Sequence, residues 1–289
     1  MNVSLVYRGP LATCNYRCRY CAVRAGPSGR GGGRADAAAL ERFVAWIAAR
    51  PRGDALSILF APRGEALVHA RYRDALRRLA ALPQVRTVAA QTNLSLDPAS
   101  LAGCDPAKTL LSATFHPTAT GVEAFAARSE ALARMGLRHS AGAVAIPAHL
   151  PAIEALRRAL RGDVYLWLNR AHGAPPLGPA DLARARAMDP FYVDRPPRSR
   201  GRACSAGSRA LFVDGRGDVR RCLALPARLG NLYAEGPEAI AAAAQAPCPA
   251  PVCRCYLGRI HLDPALGARF GDGLLARIPR RWPPAREAA

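Results

Sequence analysis

Short apolar runs alternate with amphipathic stretches from residue 2 to about residue 190, and no other feature restricts the fold as tightly. The runs cover 3–7, 56–60, 85–91, 110–115, 139–146 and 164–168. Each has strand length and is bounded by turn-forming or helical sequence. Between them the apolar positions move to helical spacing. Leu40, Phe43, Val44 and Ile47 mark the first helix, and Tyr72, Leu76 and Leu79 the second. Val122, Phe125, Leu132 and Met135, then Ile153, Leu156 and Leu160, mark two more. Asp36 is placed to cap the first helix, Asp97-Pro98 to start a short one and Pro179 to open the last. Strands that alternate with helices pair in parallel through right-handed crossovers. Chemistry then collects on the loops at the C-terminal ends of the strands.

The first of those loops holds Cys14, Cys18 and Cys21 within eight residues. A loop this short can aim three thiolates at one point, and soft thiolates suit an iron–sulfur cluster. A cubane takes four ligands, so three cysteines leave one iron open to bind something else. A zinc knuckle and a redox pair are the alternatives. Structural zinc wants a fourth Cys or His nearby, and the next histidine is His69. The stretch from Gly26 to Gly33, with three consecutive glycines, reads as a flexible loop beside this group.

The nine cysteines fall into two tight groups and a stray, Cys104, which reads as a small apolar side chain. Such grouping points to metal or cluster ligation in a cytosolic protein, not to a disulfide framework. The apolar run after Met1 is too short for a signal peptide, and no stretch approaches the roughly 18 apolar residues of a membrane span. A soluble, cytoplasmic protein with no membrane partner is expected. Its net charge of +20 is almost wholly arginine, Lys108 being the one lysine. The arginines are spread through every helix, whereas a nucleic-acid binder gathers them on one face or arm. Nucleic acid is therefore not the expected partner.

Over 191–203 the composition shifts to Pro and Arg, which reads as a linker. Cys204 follows, then a run at 210–213, the turn Asp214-Gly215-Arg216-Gly217, and a second short run ending at Cys222. Two runs around an Asp-Gly-rich turn make a β-hairpin, with a cysteine near each end. A helical stretch over 237–246 leads to Cys248, Cys253 and Cys255.

The CxxxCxxC spacing, with the aromatic Tyr20 just before Cys21, resembles the signature of the radical S-adenosylmethionine (SAM) superfamily. Ala61-Pro62-Arg63-Gly64-Glu65 is similar to the superfamily's Gly-Gly-Glu turn after the second strand, with Arg63 in place of the first glycine. Gln91-Thr92-Asn93 resembles the Thr-Asn end of its third strand, and Gly142 to Pro147 the fifth-strand segment that packs on adenine. Tyr7 to Leu11 and Asn231-Leu232-Tyr233 look like a bacterial subgroup of the same superfamily. The resemblance implies an α/β fold, a partial (β/α)6 TIM-like barrel over 1–190. It also implies a 4Fe-4S cluster on Cys14, Cys18 and Cys21, and SAM held by Tyr20, Gly64, Glu65, Asn93, Ser112, Thr114 and Ile146. On the residues alone, Ser112 and Thr114 alternate onto one strand face. They serve a ligand there or satisfy each other as buried polar groups. His116, at a strand end before Pro117, is a candidate catalytic group or a histidine that caps a turn.

Cys204, the hairpin with Gly217 five residues before Cys222, the Gly230-Asn231-Leu232 turn and the late cysteines resemble the SPASM/Twitch extension of radical SAM enzymes, here 204–289. That implies an auxiliary iron–sulfur cluster on Cys204, Cys222, Cys253 and Cys255, with Cys248 as a competitor. Four thiolates suit zinc as well. The implied activity is reductive cleavage of SAM to a 5′-deoxyadenosyl radical that abstracts hydrogen from a substrate. The implied substrate is a ribosomally made peptide or protein, or in second place a small molecule, and the implied partner a reducing protein of flavodoxin or ferredoxin type. A non-enzymatic zinc- or nucleic-acid-binding protein is the reading from a different class.

Overall fold

A computed structural model of the chain describes residues 2–21, 26–27, 33–244 and 247–283. The six expected strands are β1 (Asn2–Arg8), β2 (Ala55–Phe60), β3 (Val85–Thr92), β4 (Thr109–Phe115), β5 (Arg138–Ala145) and β6 (Leu166–Arg170). They pair in parallel and in chain order. Helices α1 (Gly33–Ala48), α2 (Ala70–Ala80), α3 (Val122–Arg134), α4 (Leu150–Ala159) and α5 (Pro179–Met188) pack against their outer face. This is a partial TIM-like barrel. Between β3 and β4 the crossover shrinks to a single 3₁₀ turn, Pro98–Leu101, capped as expected by Asp97, whose side chain accepts from the Ala99 N–H.

Asp36 differs from expectation. Helix α1 starts three residues earlier, at Gly33, so Asp36 lies inside its first turn and points inward, fully buried. Its Oδ1 accepts from the Leu11 N–H and the Tyr72 hydroxyl, each at 2.9 Å, and its Oδ2 pairs with Arg71 at 2.8 Å. A buried carboxylate is tolerable only when it is paired and hydrogen-bonded in this way. It ties the chain leaving β1 to α2. Of the glycine-rich stretch, residues 28–32 lie outside the described residues, as do 245–246 of the expected 237–246 helix, which is seen as Pro237–Ala243.

The hairpin forms from β7 (Ala210–Asp214) and β8 (Asp218–Arg220), and β8 pairs in turn with β9 (Arg228–Asn231). Strand β7 also lies parallel beside β1, from Ser4↔Ala210 to Arg8↔Asp214. One nine-stranded sheet therefore runs β9-β8-β7-β1-β2-β3-β4-β5-β6 without a break. The 191–203 stretch is pinned along its course. Ser199 is fully buried, its N–H donates to the Pro251 carbonyl at 3.1 Å and its hydroxyl to that of Ala250 at 2.8 Å.

The strands are apolar on both faces because both are covered. Outside, Leu5, Ile58, Val88 and Leu111 meet the helices. Inside, Val6, Leu59, Ala89, Leu110 and Phe212 surround Leu275 and Ala276, so the C-terminal segment fills the barrel lumen. The Ser140 hydroxyl donates to the Ala276 carbonyl and accepts from Trp167 Nε1 at 3.1 Å. Gly142 makes room for that indole, since a Cβ there would stand 1.9 Å from a ring carbon. Among the described residues no helix is long and apolar enough to cross a membrane.

Candidate functional site

A cavity of about 840 Å³ opens at the C-terminal ends of the strands. Cys14, Cys18 and Cys21 line it from the loop after β1. Gly64 and Glu65 line it from the turn after β2, and Asn93 from the end of β3. Ser112, Thr114 and His116 reach it from β4. The topology thus brings together residues more than 100 positions apart. The cysteine loop is held by backbone bonds that extend the β1–β2 pairing past both strands. Arg63 N–H donates to the Leu11 carbonyl at 3.1 Å and Glu65 N–H to that of Thr13 at 3.0 Å. Gly64 is required by this approach: a Cβ there would fall 1.7 Å from the Thr13 carbonyl oxygen. Its missing side chain serves the chain that enters Cys14.

Within the loop, Tyr16 N–H points at Cys14 Sγ (3.4 Å) and Cys21 N–H donates to the Cys18 carbonyl. Burial pushes the Cys14 and Cys18 thiols up, so a metal that binds there displaces their protons. Tyr20 and His116 Nδ1 share a hydrogen bond of 3.1 Å, and His116 also meets the edge of Tyr16. Burial, with His149 adding to it, lowers His116 to about 4, leaving it neutral. Its observed role is to fasten the cysteine loop to the end of β4.

Glu65 is 3 % exposed. Its Oε1 accepts from the Leu67 N–H and the Thr92 hydroxyl, and its Oε2 from the Asn93 N–H. Burial raises this carboxyl to about 7 against the pull of those donors. Asn93 in turn donates to Asn15 Oδ1 (2.9 Å) and lies 3.8 Å from Cys14 Sγ, while its own oxygen accepts from the Ser95 N–H. A chain of polar contacts therefore runs from the Gly-Glu turn through β3 to the first cysteine.

Ser112 Oγ is buried, lines the cavity and has no partner among the described residues. Facing the cavity, this hydroxyl is free to be completed by a ligand or by water. Ile146 is not among the lining residues. Val144, two positions earlier on the same face of the chain, stands in the wall instead.

The second cysteine group closes around its own small cavity, lined by Cys204, Cys222, Cys248, Cys253 and Cys255 together. Cys248 belongs to that wall as fully as the four preferred ligands. Arg221, 7 % exposed, gathers the segments by donating to the carbonyls of Ala206, Pro247 and Cys204. Burial pushes Cys222 up and Cys253 up to about 11. Cys253 and Cys255 also line the large cavity, so the two compartments share a wall.

Among the described residues no three Cys, His, Asp or Glu side chains converge on one ion. Three thiols in one loop and five around one small cavity are donor sets of the kind that iron–sulfur clusters and zinc both take. Sequence reasoning did not single out Asn15 and Tyr16 within the cysteine motif, Val144 within the Gly142 to Pro147 segment, or the C-terminal segment, which alone sits in no recognisable pattern.

No protein-family model matches the chain, and no curated protein does. Solved structures do. The fold is similar to that of anSMEcpe with bound AdoMet and the Kp18Cys peptide, at 13 % identity and a TM-score of 0.55, covering 80 % of this chain and 78 % of that one. anSMEcpe with bound AdoMet matches at 14 % identity with the same TM-score and coverage. SuiB of Streptococcus suis matches at 14 % identity and a TM-score of 0.48, over 92 % of this chain and 67 % of that one.

Proposed function

We propose that this chain is a radical SAM enzyme. The observation that carries the reading is the single cavity into which three cysteines of one loop, Asn93 and the orphaned Ser112 hydroxyl all face. The fold shared with AdoMet-bound anSMEcpe supports it. Cys14, Cys18 and Cys21 would hold a 4Fe-4S cluster, and Tyr20, Asn93, Ser112 and Thr114 would hold SAM. Bound there, a reduced cluster would supply one electron to the sulfonium of SAM, chemistry that yields methionine and a 5′-deoxyadenosyl radical able to take a hydrogen atom from a substrate.

The chain's own residues position and enclose. The N–H of Tyr16 and the amide of Asn93 approach Cys14 Sγ, and such contacts tune a cluster's potential. Val144 offers SAM an apolar wall in the place expected of Ile146. Leu275 and Ala276 fill the lumen, packed against Val6, Leu59 and Phe212. Cys204, Cys222, Cys253 and Cys255, with Cys248 in reach, would hold an auxiliary iron–sulfur cluster at the shared wall, next to the substrate. A peptidyl substrate is favoured, supported by the peptide bound to anSMEcpe. A flavodoxin- or ferredoxin-type protein would supply the electron.

The test is anaerobic reconstitution followed by reduction in the presence of SAM. Iron and sulfide near eight atoms each per chain are expected for two cubanes, with formation of 5′-deoxyadenosine and methionine. Cys18→Ala should abolish cleavage and halve the iron. Cleavage that survives the replacement, or a colourless protein that takes up only zinc, sinks the reading.

A further inference from the structure

The C-terminal segment does more than plug the barrel. After Ala276 the chain presents Arg277, 5 % exposed, whose Nη1 donates to Asn169 Oδ1 at 3.2 Å. Its guanidinium lies 3.8 Å from the centroid of the Trp167 ring. Trp167 is itself fixed, by Ser140 and by the space at Gly142. Arg277 adopts φ +57°, one of two non-glycine residues with positive φ among those described. The other is Leu94, next to the cavity-lining Asn93. L-residues are held in that region only where the surroundings over-determine them, and such places cluster at ligand clamps. Arg170, at the end of β6, lines the same cavity. Its Nη2 donates to the Ala174 carbonyl, and its buried Nε has no partner among the described residues.

The charge of the cavity is lopsided in the same sense. Its lining holds eight arginines and two carboxylates, Glu65 and Asp194. Glu65 is engaged as described, and Asp194 accepts from the Leu177 N–H and the Tyr192 hydroxyl. Arg17, Arg19 and Arg63 belong to the cysteine-loop side. Arg170 and Arg277 belong to β6 and the C-terminal segment. A guanidinium is a planar fork that matches the paired oxygens of a carboxylate or phosphate, and stacking on an indole fixes its plane. Inside a cavity of low dielectric it attracts an anion far more strongly than in water.

We propose that Arg277 forms an oxyanion pocket in the wall of this cavity, which Arg170 also lines, and that the molecule this protein transforms carries a carboxylate or phosphate that seats there. That the anion belongs to a substrate rests on the radical SAM reading; the pocket itself does not.

Glutarate, inorganic phosphate and the uncharged glutaramide serve as probes, titrated calorimetrically into the cluster-loaded protein saturated with SAM. At least one anion should bind at least tenfold more tightly than the diamide. Arg277→Met should weaken it at least tenfold, and Arg277→Lys, which keeps the charge and loses the fork, by an intermediate factor. Arg170→Gln, at the more accessible edge, should weaken it severalfold and covers the case in which the Arg277 variants do not fold. Preference for glutarate assigns a carboxylic acid substrate, and preference for phosphate a phosphate ester. The pocket is overturned by equal binding of the diamide, by no binding of either anion, or by unchanged affinity in Arg277→Met and Arg170→Gln. It is also overturned if SAM competes with the anion, which gives the arginines to the cofactor. A protein that binds the anion but never cleaves SAM keeps the pocket and loses the radical SAM reading.

Discussion

Glu65→Gln separates the two things the Glu65 carboxyl does. It is buried, which raises it from 4.5 to about 7, and it accepts three hydrogen bonds. An acid whose folded pKa lies above its unfolded value binds more protons when folded, so its presence makes stability fall as pH rises through that window. At 1.36 kcal/mol per tenfold the whole fall is about 3 kcal/mol, of which about 2 kcal/mol lies between pH 5.5 and 8.5. Glutamine does not titrate and removes this slope. Its amide nitrogen, however, must face one of the three buried donors, which costs about 1–3 kcal/mol. The variant is therefore expected to be less stable than wild type at pH 5.5 and about equal to it at pH 8.5. Guanidinium unfolding of the metal-free protein at pH 5.5, 7.0 and 8.5, followed by tryptophan fluorescence, reads the gap. A gap that is the same at all three values refutes the idea that burial governs this carboxyl.

Gly64→Ala puts a methyl group into the Thr13 carbonyl and should abolish iron uptake at Cys14, Cys18 and Cys21 while far-ultraviolet circular dichroism is kept; full iron content would contradict this. Gly142→Ala displaces Trp167 and should destabilise by about 1–3 kcal/mol, read as a lower Tm and an altered near-ultraviolet spectrum. Asp36→Asn weakens the tie between the cysteine loop and α2 and should cost about 1–3 kcal/mol, with an unchanged Tm as the opposing result. Because burial raises the Cys14 and Cys18 thiols, metal uptake there should release protons and weaken as pH falls. Calorimetry in two buffers of different ionisation enthalpy measures that release.

The barrel was legible because each strand and helix carries its own short-range pattern. The cysteine loop was legible because three thiols in eight residues have few other uses. What stayed hidden depends on which face a residue shows. Val6 and Leu5 are equally apolar, yet one faces the lumen and the other the helices. When both faces are buried, the period of two that separates them disappears. Ile146 was expected in the cavity wall from a resemblance; which of two residues on one face, Val144 or Ile146, reaches the cavity depends on the strand ending at Ala145. Leu275-Ala276-Arg277 is too short to carry any periodicity. Asp36 looked like a cap because a cap and a buried acceptor begin with the same residue type. The distinction lies in Leu11, Arg71 and Tyr72, far away in sequence.

The parallel ladder between β1 and β7 sets a timetable for biosynthesis. Strand β1 precedes the cysteine loop, yet one of its edges stays bare until residues 210–214 have left the ribosome. At 5–20 residues per second that wait lasts roughly 10 to 40 s. A nascent chain thus exposes three thiols on a half-paired ribbon well before the neighbour that steadies them exists. Delivery of iron to the first site is best matched to the finished polypeptide, and a chain that stops short of the hairpin leaves an open strand edge for other molecules to pair with.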